Sequence, residues 1–188
     1  MFKLQLYLDD ECTRPGWFIH PIHSYDVDVV TLPIMRKDEV PPQIDLWPIN
    51  KYEFGVNIPP QAGDDIFILG YPYNITGGGE LPIWKRGSIA TEPFVNLDGL
   101  PKMLVDTASR SGMSGSPAIM SRTGFIQNGD TINLNSFFGT VRRFVGVYSG
   151  RITGDDNRDA QLGVVWKEHV IREILEAKIP GSIEFQNK

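Results

Sequence analysis

The 188-residue chain is short of cysteine and histidine, holding one thiol, Cys12, and three imidazoles, His20, His23 and His169. A single thiol closes no disulfide within the chain, so a cysteine-stapled secreted module is excluded and a reducing compartment is compatible. Metal chemistry also lacks material. His20 and His23 are the only close histidine pair, Cys12 stands eight residues away, and no HExxH is present, so neither a metal nor a cofactor is expected. No apolar run approaches the roughly 18 to 20 residues of a spanning helix. The opening MFKLQLYLDDE turns acidic after eight residues, unlike an apolar leader, which sets the expectation of a cytoplasmic chain with no membrane partner. Positive charge is scarce too: 18 Lys and Arg against 23 Asp and Glu leave a net charge of −5. Apart from Lys85-Arg86 and Arg142-Arg143 the cations are scattered, which argues against a nucleic-acid backbone as partner.

Helical periodicity is nearly absent as well. Short runs with strand character recur at 2–8, 27–34, 65–72, 85–95, 102–108, 116–121, 137–152 and 161–167, divided by Gly, Pro, Asn and Asp. Their number, with no helical crossovers between them, predicts an all-β barrel or sandwich. The exception is 167–178, where Val170, Ile171, Ile174 and Leu175 recur at helical steps before Pro180 and Gly181. The stretch 35–57, with Pro41-Pro42, reads as a surface wrap or linker. Segment 124–135 reads as irregular, with Asn128-Gly129 as its turn.

The chemistry concentrates in SGMSGSPAIM, residues 111–120. A serine hydroxyl needs a base to become a nucleophile, and the oxyanion it forms needs donors aimed at it. Gly112 and Gly115 flank Ser114 with backbone freedom that lets nearby amides point into one hollow, while Pro117 stiffens the exit. By itself the stretch is equally an ordinary Gly/Ser turn.

GMSGSP resembles the GxSGGP nucleophile motif of trypsin-like, chymotrypsin-fold serine peptidases, with Ser116 in place of the second glycine, as in bacterial and HtrA-like members. Upstream, ILGYPYN (68–74), WKRGSIA (84–90) and VDTAS (105–109), and downstream RFVGVYSGRI (143–152), stand in the family's order. The resemblance spans about residues 17 to 178. It implies a double β-barrel whose first barrel is incomplete, with residues 1–57 as its remnant and linker and 58–188 as the complete second barrel with a C-terminal helix. It also implies an endopeptidase acting on a peptide or protein substrate, Ser114 as nucleophile, and the Gly112 and Ser114 amides as oxyanion hole. Ala108 becomes the pocket floor, and Val147, Tyr148, Ser149 and Gly150 the substrate-pairing strand. Met113 stands where animal members use an aspartate to lock the hole. For the orienting carboxylate, YDVDVVTLPI offers Asp28, preferred through DVVxLP, and Asp26 as the alternative.

The base is what the resemblance does not find. No TAxHC-like motif precedes the aspartate. His20 and His23 reach Asp28 by a local turn without thereby facing Ser114, and read as surface or local hydrogen-bonding groups; His169 opens the last helix. The expectation is a chain whose activity is doubtful as it stands. Its missing first-barrel strands come from an upstream segment or a partner chain, or the domain is a non-catalytic peptide-binding or structural relative. Asp155, Asp156 and Asp159 in GDDNRD read as a solvated loop rather than a Ca²⁺ site. GYPYNITGGGE lacks the Lys-Ser/Thr of a phosphate loop and reads as a hairpin tip.

Overall fold

The computed structural model describes residues 5–34, 41, 48–49, 58–108, 111–126, 136–152 and 161–183. Their elements are β1 (Phe18–Ile19), β2 (Asp65–Gly70), β3 (Ile83–Ile89), β4 (Lys102–Asp106), β5 (Ser116–Ile126), β6 (Phe137–Arg151), β7 (Leu162–Lys167), α1 (Glu168–Ala177) and β8 (Ile179–Pro180). The chain is mostly β, with one C-terminal helix, and forms two compact units: residues 1–48 with 169–188, and residues 49–168.

The larger unit is a closed barrel in the order β2-β3-β4-β7-β6-β5, all neighbours antiparallel. Alternation drives it. In DIFILG, Ile66 and Ile68 are completely buried while Phe67 and Leu69 face outward, half-covered. Met103 and Val105 of β4, Ala118 and Met120 of β5, Val141, Val145 and Tyr148 of β6, and Val165 of β7 complete the same core. Pairing β2 to β5 and β4 to β7 closes the ring, so each of the six strands has a partner on both sides. Gly146 is required where β6 meets β7: a Cβ there would overlap the Trp166 carbonyl oxygen. Arg122 grips Asp64 with two nitrogens and holds the turn before β2 against β5. Lys167 ends β7 buried, donating from Nζ to the Val95 carbonyl and Asn96 Oδ1, both at 2.8 Å, and burial pushes its ammonium pKa down.

In the smaller unit β1 pairs with β8, and α1 buries Val170 and Ile174, one turn apart. Gly181 donates to the Trp17 carbonyl at 2.9 Å, and Tyr25 donates its hydroxyl to the Ser182 carbonyl at the same distance.

Several expected strands are corrected. In 2–8, the described residues 5–8 form no strand; Tyr7 makes only an isolated bridge to Pro15. The β-branched run 27–34 is likewise not a strand. Val27 is buried, but Thr31 alone is bridged, to Phe18, while Val30 and Ile34 are exposed. β-Propensity needs a neighbouring strand to express it, and Pro33 offers no donor. Expected strand 85–95 stops at Ile89, after which the Thr91 hydroxyl takes the Leu104 amide in the ladder's place. β5 outruns its expected end at 121, because its pairing with β6 continues through Thr123 and Thr140, whose hydroxyls lie 2.8 Å apart, to Ile126. The Asn128-Gly129 turn and most of 35–57 lie outside the described residues. Among those residues no helix is long and apolar enough to cross a membrane.

Ile66 has no exposed surface and sits at the centre of the barrel core. Ile66→Ala is expected to lower unfolding free energy by about 2–5 kcal/mol, through lost burial and the cavity left behind, measured by urea denaturation followed by circular dichroism.

Candidate active site

Ser114 occupies a corner of a tight turn at the barrel rim. The Ser116 amide donates back to the Met113 carbonyl at 3.1 Å, which makes Ser114 and Gly115 the two central residues. Gly115 has φ of +84°, the left-handed value that a glycine supplies cheaply at the second central position. Three anchors fix the turn. Met113 buries its side chain completely, Gly115 donates to the Tyr148 carbonyl at 2.8 Å, and buried Ser116 packs its hydroxyl where a Cβ on Gly70 would stand. Gly112, with φ of +89°, is fixed from the other side. The Tyr73 amide donates to the Ser111 carbonyl at 2.9 Å, and a Cβ on Gly112 would come within 2.6 Å of the Tyr71 carbonyl oxygen.

Among the described residues, neither the Gly112 amide nor the Ser114 amide donates a hydrogen bond to another residue. Both flank an exposed hydroxyl. The Ser114 hydroxyl itself donates to the Ser149 carbonyl at 2.7 Å. That carbonyl is available because of a bulge: the β6–β7 register passes from Tyr148↔Val165 directly to Gly150↔Val164, leaving Ser149 without a partner in the ladder.

The other residues expected on the substrate-pairing strand divide by role. Val147 pairs with both Pro117 and Trp166, and Gly150, half-exposed, brings its α-carbon side toward the Ser114 hydroxyl. Tyr148 contributes its backbone at the rim, while its ring is buried in the barrel core beside Gly163. Ala108 is half-buried, just after Thr107, whose buried hydroxyl has no partner among the described residues.

The candidate carboxylates and histidines belong to the other unit, apart from the serine turn in the division of the chain. Asp26 closes a turn with its amide on the His23 carbonyl, 2.9 Å. Asp28 is solvent-exposed, yet the chain around it shields enough water to push its carboxyl pKa up. An imidazolium partner would pull that value the other way.

His20 is committed where it stands. It is 2% exposed; its Nε2 meets Glu173 Oε2 at 2.7 Å, and its Nδ1 accepts the amides of Ile22 at 3.2 Å and His23 at 3.1 Å. Two amide donors on Nδ1 place the ring proton on Nε2, where it is given to Glu173. Neither nitrogen is left to take a proton from a hydroxyl. His23 stacks on His20 at 5.1 Å between ring centroids, and His169 is exposed on the first turn of α1. The Glu173 partnership was not visible in the sequence, because 153 residues separate the two.

Among the described residues no group of three or more His, Cys, Asp or Glu could hold a metal ion. Asp155, Asp156 and Asp159 lie outside them. The 77–81 segment is a tight loop, with Gly78 and Gly79 at φ of +93° and +54° and Gly77 donating to the Leu81 carbonyl at 2.8 Å. No family model, curated protein or solved structure matches this chain.

The raised Asp28 pKa has a definite sign in stability. The folded state holds this proton more tightly than the unfolded chain, so the Asp28 contribution is fullest below the ordinary aspartate value of 3.8 and falls as pH rises through the folded value. Asp28→Asn is therefore expected to melt at or above the wild-type temperature at pH 7, with that advantage disappearing at pH 3. A variant that melts lower at neutral pH would instead show a carboxylate engaged as an anion.

Proposed function

We propose that this chain carries a serine-peptidase-like domain of the trypsin-like fold, whose rim at Ser114 receives the carbonyl of an extended peptide. The observation that carries this reading is an exposed hydroxyl flanked by the amides of Gly112 and Ser114, neither of which donates to another residue among those described. A closed barrel bearing that turn at its rim fits the complete second barrel implied by the resemblance.

In the reaction such a site performs, the Ser114 oxygen attacks the scissile carbonyl carbon and the two amides receive the developing oxyanion. In this reading an extended substrate backbone pairs with Ser149 and Gly150, and the Ser149 bulge beside the Ser114 hydroxyl supports that assignment. The hydroxyl proton must go to a base, and the Ser149 carbonyl that now holds it is an acceptor too weakly basic for the task. His20 is spent on Glu173 and two amides. Asp28, preferred over Asp26, would orient a histidine supplied from elsewhere. The same observations favour a second reading, in which the rim binds peptide without cutting it and Ser114 serves as a binding hydroxyl.

An activated-phosphonate probe separates these readings. We expect slow labelling at Ser114, abolished by Ser114→Ala and accelerated at least about tenfold by added imidazole, which supplies the missing base. Equal labelling of wild type and Ser114→Ala, or no response to imidazole, would remove the nucleophile assignment and leave peptide binding. Rapid labelling without imidazole would show that the chain already contains its base.

A further inference from the structure

The outer face of the barrel carries a second feature, independent of the serine turn. On the outward face of the adjacent strands β2 and β5, beyond the polar pair Asp65 and Ser121, Phe67 pairs with Ile119, and Leu69 stands beside them. Beyond β5, Phe144 of β6 sits opposite Ile119; beyond β2, Trp84 of β3 sits opposite Leu69. This face carries a half-open pocket of about 290 Å³ lined by Leu69, Ile119, Phe144, Trp84 and Arg142 together with Ile49 and Arg143. That volume is at the small end of the range for ligand sites, of about 300–1,000 Å³.

Two strands, β2 and β5, lie between β3 and β6, so Trp84 and Arg142 are rooted on strands that do not pair with each other. Their side chains nevertheless meet: the guanidinium carbon of Arg142 stands 5.5 Å from the Trp84 ring centroid, and the edge of Phe67 braces the indole at 5.8 Å between centroids. Both Trp84 and Arg142 line the pocket. Among the described residues Arg142 makes neither a hydrogen bond nor an ion pair, whereas its neighbour Arg143 is tied to the Ile58 carbonyl and Glu168. A guanidinium resting on an aromatic face still presents N–H groups at its edge in a fork matching a carboxylate, and the ring limits the freedom lost on binding.

We infer that this pocket binds a small apolar carboxylate, its hydrocarbon lying on Leu69, Ile119 and Phe144 and its anion taken in bidentate fashion by Arg142. The apolar floor rejects a purely polar anion, and the cation at the lip favours an acid over its neutral counterpart. With a net charge of −5 the chain as a whole repels anions, so the preference must come from this local arrangement.

The test is calorimetric titration of the full chain with 4-phenylbutyrate and with its uncharged analogue 4-phenylbutanol. Saturable binding of the acid with a Kd of roughly 0.1–1 mM is expected for a ligand this small. The alcohol should bind at least about tenfold more weakly, and Arg142→Gln should weaken the acid by a similar factor while leaving the alcohol unchanged. Arg142 is exposed, so this variant should keep the wild-type melting temperature, checked in the same preparation. Ser114→Ala should bind the acid as wild type does, whatever the outcome at the serine. The inference is overturned if the acid shows no saturable binding, if acid and alcohol bind equally, if Arg142→Gln retains wild-type affinity for the acid, or if Ser114→Ala loses it.

Discussion

Ser149 stands outside the β6–β7 ladder, and the geometry around Ser114 depends on that one residue. Without the bulge its carbonyl would be engaged in the sheet; with it, the oxygen turns to the rim and takes the serine hydroxyl at 2.7 Å. The next carbonyl back, of Tyr148, holds the Gly115 amide. Two consecutive carbonyls of one strand therefore position both ends of the Ser-Gly corner. The strand can do this because the buried Tyr148 ring pins it to the core between those contacts, in a space that Gly163 leaves open. Core packing and rim chemistry are parts of one construction here.

A hydrogen bond from a hydroxyl to a carbonyl contributes only about 0.5–1.5 kcal/mol net, so it orients Ser114 without locking it. An arriving ligand that offers its own carbonyl and backbone amides can replace the bond at little cost. Deprotonation is another matter. No carbonyl takes the proton of an alcohol at neutral pH, and the buried imidazole of this chain is held by three partners that together use both its nitrogens. His20 serves architecture: through Glu173 it joins the strand entry to the C-terminal helix, with its other face closing the turn at Ile22 and His23. On the proposed reading, the amides of Gly112 and Ser114 receive the oxyanion and the base must come from a group other than His20.

Much of the barrel was legible in the sequence. Period-two alternation around Ile66, Ile68, Met103 and Val105 marks strands that bury one face, and the three- and four-residue steps through Val170 and Ile174 mark the helix almost to its ends. The serine turn was legible because glycines at required left-handed φ leave a local signature. The run 27–34 misleads, since its β-branched residues announce a strand while the structure gives it only the Thr31 bridge to Phe18. Bulges are silent in sequence: nothing about Ser149 distinguishes it from residues that remain in register. The same holds for His20 and Glu173, or Trp84 and Arg142, which meet only once distant strands and helices are placed.

The arginines of the barrel show why their placement outweighs their number. Arg86 holds Asp65, Arg122 holds Asp64 and Arg143 reaches Glu168, each satisfying a carboxylate that the fold brings within reach. Acidic residues outnumber basic ones in the chain, so a cation placed on an indole rather than a carboxylate does not reflect a shortage of anions. It reflects position. Arg142 stands opposite Ser121, the Asp65 beyond Ser121 is already held by Arg86, and the face on which the guanidinium rests is that of Trp84. An aromatic ring stabilises the charge by about 0.5–1 kcal/mol at an exposed site and leaves its hydrogen-bonding edge unused. A paired carboxylate would have consumed that edge. The stacking that keeps Arg142 in place thus also keeps it available, beside a half-open pocket lined by Leu69, Ile119 and Phe144.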